Sequence, residues 1–290
     1  MSEYVVAVPQ PSIALDFRGS IRKNRSGKIQ TAALSKSSLA IKLTLFTLLG
    51  LTIYGFLTFD YKNIVLADAI SGTLENVKVL FGEPRLKYIT FPGALNGLMM
   101  TFCLGVLSTI FGAVIGLFFA LLSAKNIANP KVANIVKGFV AFIRAVPTIL
   151  WVLIFTVAVG LGSVAAVVGL TFHSAGYLTK AYAESIEEMD DGTIEALKAS
   201  GASFWQIIFQ AVLPSSISYI VAWTFLRFEI NFTNALAIGA AAGAGGIGFD
   251  LFMAGSFYLD LRELGFITYI VIAAVILLEM VATRVKATVK

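Results

Sequence analysis

The sequence predicts an all-α, polytopic integral membrane protein with about six transmembrane helices. Three observations carry that prediction. Hydrophobic residues make up 58% of the 290 and charged residues only 13%, against roughly a quarter charged in an ordinary soluble domain. Apolar stretches of about 20 residues, the length needed to cross the hydrocarbon core, recur along the chain. A single cysteine, Cys103, and a single histidine, His173, leave no disulfide framework, zinc site or Cys/His pair within one chain. Backbone in lipid must satisfy its own hydrogen bonds, so each stretch reads as a helix.

The stretches run roughly Leu39 to Phe59, Leu95 to Leu122, Gly138 to Val159, Leu161 to Lys180, Ser215 to Ala235 and Leu264 to Thr283. The third and fourth are separated only by the turn signal Gly160-Leu161-Gly162-Ser163. A basic tail over 1–38 carries Arg18, Arg22, Lys23, Arg25, Lys28 and Lys36. Lys125, Lys131 and Lys137 follow the second stretch, and a tail over 284–290 carries Arg284, Lys286 and Lys290. With six spans these fall on one side, and the positive-inside rule makes that side cytoplasmic, with both termini there. The net charge of +5 is thus read as an orientation signal rather than a nucleic-acid surface. The 39–59 stretch reads as a retained anchor, because its polar leader is too long for a cleavable signal. The 60–94 segment becomes extracytoplasmic, its basic residues balanced by Asp60, Asp68, Glu75 and Glu83. The rest, 95–283, forms one membrane-embedded core.

One inside loop stands out, 181–214. It opens acidic, with Glu184, Glu187, Glu188, Asp190 and Asp191, and then turns amphipathic. Thr193 is the expected N-cap of a short helix whose first turn holds Glu195 and Ala196. Gly201 is expected to end it, and a second helix runs from Phe204 to Leu213 before Pro214 opens the fifth span. The group Phe204, Trp205, Ile207, Ile208 and Phe209 calls for cover from the membrane domain or from another protein.

The spacing Glu195-Ala196-Leu197, then Gly201, then Leu213-Pro214 resembles the EAA loop of ABC-importer permeases. Leu197 stands in place of the second alanine, and Ala211 where isoleucine is common. Tyr182-Ala183-Glu184-Ser185-Ile186-Glu187-Glu188, Arg227-Phe228-Glu229-Ile230-Asn231 and Gly243-Ala244-Gly245-Gly246-Ile247-Gly248 resemble the permeases of phosphonate and phosphite importers. The likeness extends from about Gly138 to the C-terminus and, more loosely, over the second span; the first 90 residues carry no such motif. It implies a type I importer fold in a bacterial inner membrane and a dimer of permeases, identical or not. It also implies two cytoplasmic ATPase subunits and an extracytoplasmic binding protein delivering a phosphonate, phosphite or hypophosphite. The loop would then be the coupling helix, with Glu195 meeting a basic group of the ATPase or anchoring the helix, and Ala196 and Gly201 permitting close approach and the bend. The chain has no GxxxxGK[ST] sequence, so ATP and magnesium are expected in the partner ATPase and no cofactor in this chain.

Charges within the spans are functional candidates because lipid makes them costly. Arg227, Asn231 and Asn234 recur at i, i+4 and i+7, one helical face; Glu229 points elsewhere. Two readings stay open: the stripe lines a passage for a small anion, or Arg227 and Glu229 are packing anchors paired to neighbouring spans. Arg144 and Pro147 open the third span. Proline removes a backbone donor and kinks the helix, while Arg144 either snorkels to the interface or gates. Ser108, Gly112, Gly116, Ala120 and Ala124 form a small-residue packing seam. Gly243-x-Gly245-x-x-Gly248 lacks the strand a dinucleotide site needs and reads as a re-entrant segment at the outer mouth. His173 reads as an interior hydrogen-bonding residue and Cys103 as a packing residue.

Other function classes fit less well. A secondary transporter would build its site from broken helices in related repeats, and no repeat is visible. A membrane enzyme would need clustered His, Asp or Glu, whereas Glu229 and Glu279 stand apart. A permease for another small solute, such as methionine, is the alternative within the same family.

Overall fold

The computed structural model describes residues 36–59 and 64–288; most of the basic tail and the last two residues lie outside them. The chain divides into two units, one ending at Leu66 and one beginning at Ala67. In the first, α1 (Lys36–Thr58) is apolar on every side and its side chains are exposed almost throughout. A helix apolar all round is built for lipid or for cover by protein.

Within the segment 60–94, where the sequence predicts no span, a further helix forms. In α2 (Leu66–Gly82), Leu66, Ile70, Leu74, Val77 and Phe81 recur at helical spacing and are all exposed. The long central α3 (Phe91–Ser123) follows, started by Thr90, whose hydroxyl accepts the Gly93 N–H at 3.2 Å. The expected third span is two helices, α4 (Pro130–Ala145) and α5 (Thr148–Val159), bent by 91°. Pro147 holds Val146 in extended backbone and has no N–H to offer the Ile143 carbonyl. The Trp151 indole N–H donates to that carbonyl at 2.9 Å instead, so the elbow leaves no orphaned acceptor.

After the Gly160–Gly162 turn comes α6 (Ser163–Glu187), 25 residues long. It is less apolar than the other spans, but Ser174, Thr179 and Ser185 are buried and bond to the carbonyls of Leu170, Ala175 and Ala181. The seam predicted on α3 packs here. Ser108, Gly112, Gly116, Ala120 and Ala124 are all buried. A Cβ on Gly112 would lie 2.6 Å from that of Ser174, and one on Gly116 3.0 Å from that of Leu178. The small residues therefore let α3 and α6 lie nearly backbone to backbone.

Beyond α6, α7 (Asp191–Ala199) leads to α8 (Phe204–Ile207), a π turn (Ile208–Val212) and α9 (Leu213–Ala241). Residues 204–241 form one helical rod, so Pro214 does not open a separate helix. It lacks the N–H that would bind the carbonyl four residues back, and the chain widens there, with the Leu213 N–H reaching the Ile208 carbonyl. The glycine-rich segment then turns the chain back into α10 (Ile247–Phe252), where Gly248 lies directly against the Leu236 carbonyl. A second π turn (Met253–Phe257) precedes α11 (Leu261–Thr288). By length and apolarity four described helical segments can cross a membrane, the bent α4–α5 pair making a fifth; α6, the remaining expected span, is packed inside α3, α5 and α9.

Candidate functional site

The most polar part of the interior lies where α3, α6 and α9 meet. Arg227, 2% exposed, and Asn231, 0% exposed, occupy one face of α9, as their spacing predicts. The Arg227 Nε donates to Ser174 Oγ at 3.0 Å and a terminal nitrogen donates to His173 Nδ1 at 2.9 Å. Guanidinium only donates, so His173 Nδ1 is an acceptor and the ring proton sits on Nε2. The hydroxyl of Thr148, at the start of α5, lies 3.1 Å from the same nitrogen. The guanidinium also stands over the Tyr177 ring, 5.1 Å from its centroid. Ser174 Oγ donates to Asn231 Oδ1 at 3.0 Å, and Asn231 Nδ2 donates to Thr109 Oγ1 on α3 at 2.8 Å.

Every side chain bound to Arg227 is neutral, and among the described residues no carboxylate lies within ion-pair distance of it. The cost of burying the charge is met by hydrogen bonds and one aromatic face. Asn234, the third member of the stripe, is half-buried and outside this network. Glu229 is on another side of α9, bordering a crevice of about 210 Å³ with Phe232, Thr233, Val275, Leu278 and Glu279. Sequence reasoning named Arg227 and Asn231 but not Thr109, Thr148, Ser174 or Tyr177. Short hydroxyls in an apolar run usually bond their own helix, and only the fold reveals which also bond across. His173 makes an interior hydrogen bond, as expected.

A second constellation lies at the far end of α6. The N-cap of α7 is Asp190, whose Oδ1 accepts the Gly192 N–H at 3.1 Å, and not Thr193, which falls inside the helix. A carboxylate two residues before the first free amide outcompetes a hydroxyl placed later. Ile194 is buried and Leu197 packs beside it, joining α7 to Ile186, Ile207, Ile208 and Val212. Glu195 and Ala196 face outward, and Glu195 makes no ion pair among the described residues.

Gly201, at φ +83°, closes α7. Its N–H reaches the Lys198 carbonyl and the Ala202 N–H the Leu197 carbonyl, both at 3.0 Å. These paired bonds, with Ala202 and Leu197 packed into the same cluster, form a left-handed C-cap that glycine suits best. The apolar group beyond it divides. Ile207 and Ile208 are buried, while Phe204, Trp205 and Phe209 remain exposed and lie against one another. Nearby, Glu187 accepts the Lys125 N–H and a Lys137 Nζ proton, each at 2.7 Å, clipping the ends of α3 and α6 to the middle of α4.

Arg144 ends α4 beside the elbow, its Cγ 3.5 Å from where a Cβ of Gly176 would stand; Pro147 forms the elbow itself. Sequence reasoning also missed Glu263, 1% exposed at the start of α11. Its Oε1 accepts the N–H groups of Lys87, Tyr88 and Ile89 at 3.3, 2.9 and 2.8 Å. That clamp, with Arg262 bound to Glu83, ties the approach to α3 onto α11 at the end opposite α7.

Residues 116–289 match the family model described as the binding-protein-dependent transport system inner membrane component. The chain belongs to this family. It is therefore a permease, a multi-pass inner-membrane component of a binding-protein-dependent transport system. The permease is 30% identical to the phosphite transport system permease protein PtxC of Stutzerimonas stutzeri, over 76% of this chain and 80% of that one. It is 33% identical to the phosphate-import permease protein PhnE of Mycolicibacterium smegmatis over 52% of its length, a match spanning only 29% of that protein. Among solved structures, it superposes on a chain of the MetNI methionine ABC transporter in an inward-facing conformation. That match has a TM-score of 0.63 and 25% identity, covering 70% of the permease and all of that chain.

Proposed function

We propose that the permease translocates a small phosphorus oxyanion, a phosphonate, phosphite or hypophosphite, in an ATP-driven importer. The observation that carries this reading is Arg227, a buried cation in the centre of the helix bundle with neutral partners only. Such a site stabilises an anion passing it without first having to break an ion pair. The 30% identity to a phosphite permease over most of both chains supports the same cargo. Arg227 and Asn231 meet the anion, with Asn234 further along the face, and the Arg144–Pro147 elbow carries α5 as it moves. Glu229 stands off the path, between α9 and α11.

ATP and magnesium bind to separate ATPase subunits, which seat on the outward face of α7 around Glu195, Ala196 and the exposed Phe204, Trp205 and Phe209. Leu197 and Gly201 hold that helix to the permease. The rod from Phe204 through Leu213 and Pro214 to Arg227 carries the ATPase's movement to the buried network. Two permease chains, equal or different, pair across the membrane, with both termini cytoplasmic and the binding protein on the other side.

The reading is tested by ATP hydrolysis in liposomes holding the permease and its ATPase, with the binding protein and phosphite, methylphosphonate, phosphate or methionine. Stimulation by a reduced-phosphorus ligand, and not by methionine, is the expected result. Stimulation by methionine alone overturns the cargo; no response to any ligand overturns the coupling. In the same assay Gly201→Val, which forces a β-branched residue to φ +83° at about 1–2 kcal/mol, should abolish ligand stimulation while leaving the permease in the membrane. Normal stimulation in that variant removes α7 from the coupling role.

A further inference from the structure

Two cavities adjoin along α3, α4 and α6, and the mechanism above uses neither. The first is a groove of about 350 Å³ whose walls, among them Phe111, Ile115, Phe119, Phe139 and Phe172, are almost wholly apolar. The second, about 200 Å³, is bordered by Arg144, Lys137 and Lys180 together with Glu184 and Glu187. Val140 and Thr179 belong to both walls, so the apolar trough and the cationic end adjoin.

The charges there do not cancel. Lys137 is paired with Glu187 at 2.7 Å and Lys180 with Glu184 at 3.3 Å. Arg144 has no carboxylate partner among the described residues, which leaves three cations against two carboxylates. Helix α4, which borders both cavities, carries the pattern of a bilayer boundary. At 12 residues α5 is too short to cross a bilayer alone, and α4 leaves it at 91°. Val132, Ile135, Phe139 and Phe142 form an exposed apolar stripe on α4, the pattern of a helix seated at the level of the headgroups.

We infer that the adjoining cavities form a binding site for an anionic phospholipid of the leaflet on the α7 side. The headgroup phosphate meets Arg144, with Lys137 and Lys180 beside it, and an acyl chain lies in the apolar groove. Basic pockets between membrane helices select anionic headgroups in this way. A free oxyanion fits the cationic end and leaves the groove without a role; the adjacency of the two is what a lipid matches. The lipid would brace α4 against α6 at the elbow from which α5 departs.

The test is native mass spectrometry of the full permease with its ATPase, released from detergent after exposure to phosphatidylglycerol or phosphatidylcholine. Phosphatidylglycerol should be retained over phosphatidylcholine by about tenfold or more, and Arg144→Gln should lower its retention about fivefold. Arg144→Lys should keep most of it. Ile115→Trp, which fills the groove, should lower it while every cation remains. Lys131→Gln, on α4 but outside the cavity, should have no effect. Unfolding temperatures of the variants show whether any loss is loss of fold; if Arg144→Gln unfolds, Arg144→Lys and Ile115→Trp decide. Equal retention of the two lipids, or equal losses from Lys131→Gln and Arg144→Gln, overturns the site. Displacement of phosphatidylglycerol by millimolar inorganic phosphate overturns the lipid and leaves an inner oxyanion site. None of these outcomes depends on which solute the importer carries.

Discussion

Arg227 and Glu263 are both charged, both almost fully buried, and held in opposite ways. Arg227 sits mid-bundle and donates to side chains, Ser174 and His173, on a neighbouring helix. Glu263 sits in the first turn of α11 and accepts three successive backbone amides. The difference separates two uses of buried charge. Backbone amides have nowhere else to turn, so Glu263 is structural: without it three donors are stranded. The partners of Arg227 have other bonds. Ser174 Oγ also reaches the Leu170 carbonyl and Asn231, and His173 Nδ1 also meets Thr148. Removing the guanidinium therefore strands little, which fits the proposed role of a charge kept for cargo.

The comparison breaks most readily at Glu263. Glu263→Ala should cost about 3–5 kcal/mol by chemical unfolding in mixed micelles, as expected when a buried charge is taken from its partners. A loss under about 1 kcal/mol would show that the amides find other acceptors. Glu263→Gln keeps an oxygen facing the amides but not the charge, and should cost about 1–2 kcal/mol. A cost equal to that of alanine would mean that charge, not hydrogen-bond geometry, holds the clamp. Glu187→Gln supplies the surface contrast. Its pair with Lys137 is partly exposed, so the loss should stay at or below about 1 kcal/mol in the same assay.

The same pair of residues shows what a sequence reveals and what it hides. Arg227 was visible because a cation inside an apolar run has no ordinary explanation, and its spacing to Asn231 placed both on one face. Glu263 was invisible for two reasons. It stands at the edge of its apolar run, among Asp260 and Arg262, where a charge needs no explanation, and its partners are backbone amides, which carry no residue identity. The seam on α3 was legible because small residues at four-residue spacing have one use; that α6 fills it is tertiary information. The elbow at Pro147 was legible as a kink but not as a right angle. The bend's size depends on Trp151 capping the Ile143 carbonyl, a contact eight residues apart. The stripe on α2 is present in the residues but gives no span signal, since five apolar positions among acidic and polar ones fall short of a membrane span. The N-cap of α7 went to Thr193 because hydroxyl and carboxylate caps compete within a few residues, and the backbone decides between them.

One paired measurement on Arg227→Met directly tests the proposal that Arg227 serves cargo rather than fold. Its unfolding free energy in mixed micelles should lie within about 1 kcal/mol of the unaltered permease, since a well-packed apolar replacement of a buried charge is often neutral. Ligand-stimulated uptake of phosphite or methylphosphonate by the reconstituted importer should fall about tenfold or more. Uptake that persists in a stable Arg227→Met permease, or a loss of stability as large as that of Glu263→Ala, would contradict it.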